Sequence, residues 1–143
     1  AISVLQFVGF DAAGKTLLDL IQGKNSQAVK IAAIEAISPY GEAQIGPVLM
    51  DGFAQQTPGM RRAILDAMLA SQDRTNVLLD EIEKGEIKIS ELGPARSTRL
   101  QRNRDAGIKK RAAALFAAAT AFFSSAFFLA ASSLIHSSFP KPG

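Results

Sequence analysis

The sequence predicts an all-α fold, an antiparallel stack of about seven helices in the manner of an α-solenoid. Three observations predict it. First, the segments QAVKIAAIEAI (27–37), PGMRRAILDAM (58–68) and AGIKKRAAALF (106–116) align without gaps. Val29, Met60 and Ile108 then coincide, as do Ala33, Ile64 and Ala112, then Ile34, Leu65 and Ala113, then Ile37, Met68 and Phe116. These offsets trace one face of a helix, and a helix repeated with the same apolar stripe belongs to units that cover each other. Second, helical patterns alternate with turn signals of a few residues along most of the chain, which places successive helices antiparallel. Third, apart from two short apolar runs at 2–8 and 87–89, nothing reads as a strand.

The elements follow in order. Ile2, Val4, Leu5, Phe7 and Val8 form an apolar run, either a strand or a helix end. Asp11 is placed to cap a helix through Leu17, Leu18, Leu20 and Ile21 that Gly23 stops. Ser26 opens the next helix and Pro39–Tyr40–Gly41 closes it. Ile45, Val48, Leu49 and Phe53 make a helical stripe within 42–55, where Pro47 is tolerable only in the first turn. Thr57–Pro58 is a strong start signal, a hydroxyl cap followed by proline at the first helical position. Asp73 is placed to cap a helix carrying Val77, Leu78, Leu79 and Ile82, with Gly85 ending it. Ile87–Lys88–Ile89 reads as an extended link. Ser90 and Pro94 begin a small basic helix to about Arg102, and Asp105 caps the last one.

The repeat steps are 31 and then 48 residues. The first is shorter than the ~40 residues usual for HEAT units, and the second implies an insertion around 85–95. The expectation is an irregular HEAT-like array over 1–118, followed by an apolar tail over 119–143. Ile34, Leu65, Met68, Leu79, Ile82, Leu115 and Phe116 should fill the core, while Ala28, Gly59 and Gly107 let helices approach closely.

Composition limits the chemistry. The chain has 143 residues, 48% hydrophobic and 20% charged, with a net charge of +3 and no cysteine. Disulfides, thiolate metal sites and covalent haem attachment are thereby excluded from these residues. No signal peptide is recognisable, and the start at Ala1 reads as internal to a longer chain. Charge is uneven: residues 73–91 hold six acids and three bases, whereas 96–111 hold seven bases and only Asp105. Arg96, Arg99 and Arg102 share a helical face that could meet phosphates. No aromatic residue interleaves with these bases or with Arg104, Lys109, Lys110 and Arg111, so no nucleic-acid partner is expected. A solvated face, or one paired with 73–91, is the expectation.

The stretch 112–135 has no charged residue and follows Lys109–Lys110–Arg111. Its length and flanking cations fit a membrane-spanning helix, although Ser124, Ser125, Ser132 and Ser133 dilute it.

Gly9–Phe–Asp–Ala–Ala–Gly14–Lys15–Thr16 satisfies the phosphate-binding pattern GxxxxGK[ST]. In that alternative Gly9, Gly14, Lys15 and Thr16 would bind a nucleotide, with Lys15 on its phosphates and Thr16 on Mg²⁺. The strands such a fold needs are missing downstream, and no β-branched run ends in an aspartate for the metal. The segment is therefore read as a turn between helices. His136, the single histidine, has no carboxylate near it in sequence, and Asp80, Glu81 and Glu83 follow a helical surface. No catalytic residue, metal ligand or cofactor is expected.

Residues 73–116, DRTNVLLDEIEKGEIKISELGPARSTRLQRNRDAGIKKRAAALF, resemble the segment before the cytochrome c module of large bacterial PVC-type haem-binding proteins. The match rests on Leu78, Leu79, Asp80, Ile82, Glu83, Gly85, Ile87, Leu92, Ala95, Arg96, Leu100, Asp105, Ile108, Arg111, Ala112, Leu115 and Phe116. QAVKIAAIEAIS upstream looks like the HEAT region of that family, and the likeness covers about 1–118. The resemblance implies a parent with a membrane-bound-dehydrogenase (sorbosone-dehydrogenase-like) propeller, HEAT repeats and a haem domain in the cell envelope or periplasm. This chain would then be a non-catalytic scaffold that contacts neighbouring domains or a protein partner. Asn103 stands where the family has histidine, and CxxCH is absent. After about Thr120 the sequence leaves the family pattern, as a frameshifted or prematurely ended frame would, or a membrane anchor. A small nucleotide-binding protein and a tail-anchored membrane adaptor are the alternatives.

Overall fold

The computed structural model of the chain describes residues 10–135, with side chains except at 11, 12, 123 and 126–135. The described residues are all-helical, without a strand. Seven α-helices occur among them: α1 (Phe10–Gln22), α2 (Gln27–Ile37), α3 (Ile45–Met50), α4 (Pro58–Met68), α5 (Gln72–Lys84), α6 (Ile89–Gln101) and α7 (Ala106–Ile135). A 3₁₀ turn, Phe53–Gln55, follows α3. The apolar run expected at 2–8 lies outside the described residues.

Several helix ends sit where side chains supply the missing hydrogen bonds. Ser26 Oγ accepts from Val29 N–H at 3.4 Å, and Thr57 Oγ1 from Met60 N–H at 3.4 Å with Pro58 in the first turn. Asp105 Oδ1 accepts from Ile108 N–H at 2.9 Å. Gly85, at φ 83°, closes α5 with Gly85 N–H donating to Ile82 and Glu86 N–H to Glu81, the paired bonds of a Schellman ending.

Other ends differ from expectation. Asp11 lies inside α1, which already includes Phe10, so it is not a cap. Ser71, extended at φ −130°, precedes α5, and Asp73 sits in the first turn, where its charge still complements the helix dipole. The stripe expected over 42–55 is split: α3 carries Pro47 in its first turn, and left-handed Gly52 (φ 65°) separates it from the 3₁₀ turn. Ile89 belongs to α6 rather than to a link. Gly93 (φ 70°, ψ 168°) kinks that helix, and Pro94 starts its second piece.

Consecutive helices pack together in the pairs α1–α2, α3–α4, α4–α5 and α6–α7, and alternate helices in α2–α4, α3–α5 and α5–α7. Polar bonds join alternate helices at separations of 28 to 35 residues, several of them at thirty. Gln27 with Thr57, Arg61 with Glu91, Asp66 with Arg96 and Leu69 with Arg99 are each 30 residues apart, and Asp80 with Arg111 is 31 apart. These bonds link α2 to the start of α4, α4 to α6, and α5 to α7.

The segment 106–116, which shares the apolar stripe of 27–37 and 58–68, forms the start of α7, and residues 85–95 lie between α5 and the second piece of α6. They hold the Schellman turn and the start of α6. The stripe matched because any helix buried along one side repeats the same offsets.

The core is one continuous cluster through α1–α7. Ile34, Leu65, Met68, Leu79 and Ile82 are in it as expected, whereas Leu115 and Phe116 are half-buried at its edge and Ala113 is exposed. Each fully buried leucine or isoleucine contributes about 1.5–3 kcal/mol. Gly59 lies close to α2, where an added Cβ would be 3.1 Å from Gln27 Nε2 and 3.9 Å from Ile31 Cδ1. Ala28 and Gly107 are exposed and mediate no close approach.

Candidate functional site

The nucleotide-binding pattern does not form a loop. Gly9 is outside the described residues, and Phe10 through Thr16 form the first turns of α1, neither a phosphate cradle nor the expected connecting turn. In a helix the amides of Gly14, Lys15 and Thr16 point back along the axis at carbonyls four residues earlier, so they do not converge on a ligand. Lys15 and Thr16 are exposed. Gly14 has a packing role: a Cβ there would sit 2.3 Å from the Phe10 ring. That ring meets Tyr40 edge-on at a centroid distance of 5.6 Å, tying α1 to the segment after α2.

Asp80, Glu81 and Glu83 of α5 are engaged in ion pairs. Arg111, on α7, reaches Asp80, Glu83 (3.0 Å) and the Asn76 amide oxygen (3.2 Å). The hydrogen bond that Arg111 donates to Glu83, followed by the one it donates to Asp80, raises its pKa. Glu81 holds Lys84 at 2.7 Å on the same helix, which raises the lysine pKa. No group of three or more potential ligand side chains that could hold a metal occurs among the described residues. His136 lies outside them.

The basic stretch divides in two. Arg111 pairs with the acidic 73–91 segment as expected. Arg96 and Arg99 turn instead to α4: Arg96 forms two parallel bonds to Asp66, each 2.7 Å, and Arg99 donates to the Leu69 carbonyl at 3.0 Å. Arg102, Arg104, Lys109 and Lys110 are exposed. Asn103, where the resembled family has histidine, accepts from Asp105 N–H at 2.9 Å and shapes the turn into α7.

Two features carried little or no sequence signal. Arg74 is 2% exposed between the end of α2 and α3. Its Nη2 donates to Ser38 O at 2.6 Å, but Nε and Nη1, like the buried Glu42 Oε2, have no hydrogen-bond partner among the described residues. Burial lowers its pKa, and the negative charge of Glu42 acts in the opposite direction. A surface arginine and this one look alike in a sequence.

The second feature is an open apolar groove of about 800 Å³ where α5, the 85–90 segment and α7 meet. Ile82, Ile87, Ile89, Leu115, Phe116 and Phe122 contribute its apolar walls, and Phe122 is 75% exposed. The pair Ile87 and Ile89 beside a long uncharged helix was the only hint of it.

Among the described residues, no helix is long and apolar enough to cross a membrane. The described residues thus carry polar bonds between packed helices and an open apolar groove. No protein family, curated protein or solved structure matches the chain.

Proposed function

We propose that this chain is a non-catalytic scaffold, a HEAT-like α-solenoid that holds neighbouring domains or a protein partner in a fixed relation. The observation that carries this reading is the set of polar bonds between alternate helices, several of them thirty residues apart. Such spacing suits arrays in which each unit braces the next, and arrays of this kind act through extended surfaces rather than through a single pocket. In the wider proposal the chain is a piece of a haem-binding, dehydrogenase-type protein of the cell envelope. That part rests on the resemblance of 73–116 and of the upstream segment 27–38.

The test is a calorimetric titration of the full chain with Mg²⁺–ATP and with haem, together with small-angle scattering. A scaffold gives no saturable heat with either ligand and an elongated scattering profile. Saturable ATP binding that Lys15→Ala abolishes would return the nucleotide reading, and a spherical profile would remove the solenoid.

A further inference from the structure

We propose that the cleft where α1, α2, α3 and α4 converge binds a small zwitterion, a free α-amino acid with an apolar side chain. The cleft has a volume of about 290 Å³. Drug-sized ligands need roughly 300–1,000 Å³, so the ligand here has few atoms. The floor is apolar: Leu49, Met60 and Ile64 line it, and each is buried. The walls carry one charge of each sign. Lys30 of α2 and Asp51, directly after α3, both line the cleft. No ion pair joins them, and neither side chain has another partner among the described residues. Elsewhere Arg61, Lys84, Arg96 and Arg111 each reach a carboxylate.

Gln22, at the end of α1, and Gln56 add two carboxamides whose side chains also make no hydrogen bond among the described residues. Left-handed Gly52 leaves room on this side, where an added Cβ would lie 3.8 Å from Gln56 Nε2. Each of these groups matches one part of an amino acid. Lys30 meets the carboxylate and Asp51 accepts from the α-ammonium. The carboxamides both donate and accept, so they complete the hydrogen bonds of either end. The apolar side chain covers Leu49, Met60 and Ile64. α3 ends at Met50, next to Asp51, and the carbonyls of its last turn add partial negative charge beside the ammonium. A simple anion would face Asp51 and a simple cation would face Lys30, whereas a zwitterion satisfies both. This site goes beyond the scaffold reading and stands independently of it.

A nuclear magnetic resonance titration of the full chain with L-methionine tests this. Saturable amide shifts are expected around Gln22, Lys30, Asp51 and Gln56, with a Kd of about 0.1–1 mM. N-acetyl-L-methionine lacks the ammonium, L-methioninamide lacks the carboxylate and glycine lacks the side chain. Each should bind about ten-fold more weakly or worse. Lys30→Met and Asp51→Asn should each weaken methionine binding by about ten-fold, whereas Lys109→Met, exposed on α7, leaves it unchanged. The comparison of ligands uses the unaltered chain, so it holds even if a variant folds poorly. An absence of saturable shifts with methionine overturns the proposal. So does equal binding of the acetylated or amidated compound, or binding that neither variant weakens.

Discussion

Asp66 and Arg96, thirty residues apart in the chain, meet through two parallel 2.7 Å bonds that join α4 to α6. The Arg96 guanidinium also donates to the carbonyls of Arg62 and Leu92, both at 3.3 Å. A lysine cannot reproduce that fork. Arg96→Lys is expected to cost about 1 kcal/mol, at the low end for a charge-assisted pair because the Asp66 side chain is 60% exposed. Urea unfolding of Arg96→Lys, Asp66→Ala and the double variant checks it. Additive costs would mean that the two side chains are not coupled.

Leu65 is 1% exposed within the core of α4. Leu65→Asp places a carboxylate there without a partner and is expected to unfold the array. Leu65→Ala should cost about 2–5 kcal/mol. An unchanged thermal melt of the aspartate variant would remove α4 from the core.

Gly85 ends α5 in the left-handed region at φ 83°, with no atom within 4 Å of an added Cβ. Gly85→Ala therefore meets a backbone cost alone, about 1–2 kcal/mol. Gly41→Ala is the control, because it too has open space but no positive φ. Comparing the two by denaturant unfolding separates conformation from packing.

Arg74 combines one strong bond to Ser38 O with two donors that have no partner among the described residues. Replacing a buried charge by an apolar side chain of similar length is often close to neutral, whereas shortening it leaves a cavity. Arg74→Met should lie within about 1 kcal/mol of the native chain once Glu42→Gln removes the facing carboxylate. Arg74→Ala alone should cost about 2 kcal/mol or more. Chemical unfolding of the three variants would show the reverse order if the arginine itself holds α2 to α5.

Lys15 is exposed on α1 and Thr16 follows it in the same helix. Lys15→Ala is expected to leave both stability and the response to Mg²⁺–ATP unchanged, because no loop gathers amides around a phosphate. Fluorescence titration with a labelled nucleotide would detect the opposite.

Much of the secondary structure was legible in the sequence because it is decided locally. Thr57–Pro58 and Asp105 place helix starts through hydrogen bonds to residues three positions on, and Gly85 places an end through its freedom at positive φ. Asp73 misled by two residues, since an aspartate favours the whole first turn of a helix and not only its cap. The groove was nearly invisible, because Ile87, Ile89 and Phe122 come together only when the chain folds back.

The sequence by itself determined that this protein is helical, where most helices begin and end, and which face of each is buried. Periodicity and capping act within a few residues and need no partner. Only the tertiary structure decided which helix stands beside which. By their apolar stripe, 27–37, 58–68 and 106–116 look alike, yet α2 and α4 pack on each other whereas α7 packs on α5 and α6. A buried stripe records that a helix is covered but not by what. The covering neighbour is chosen by contacts such as Asp66 with Arg96, made across thirty residues of chain.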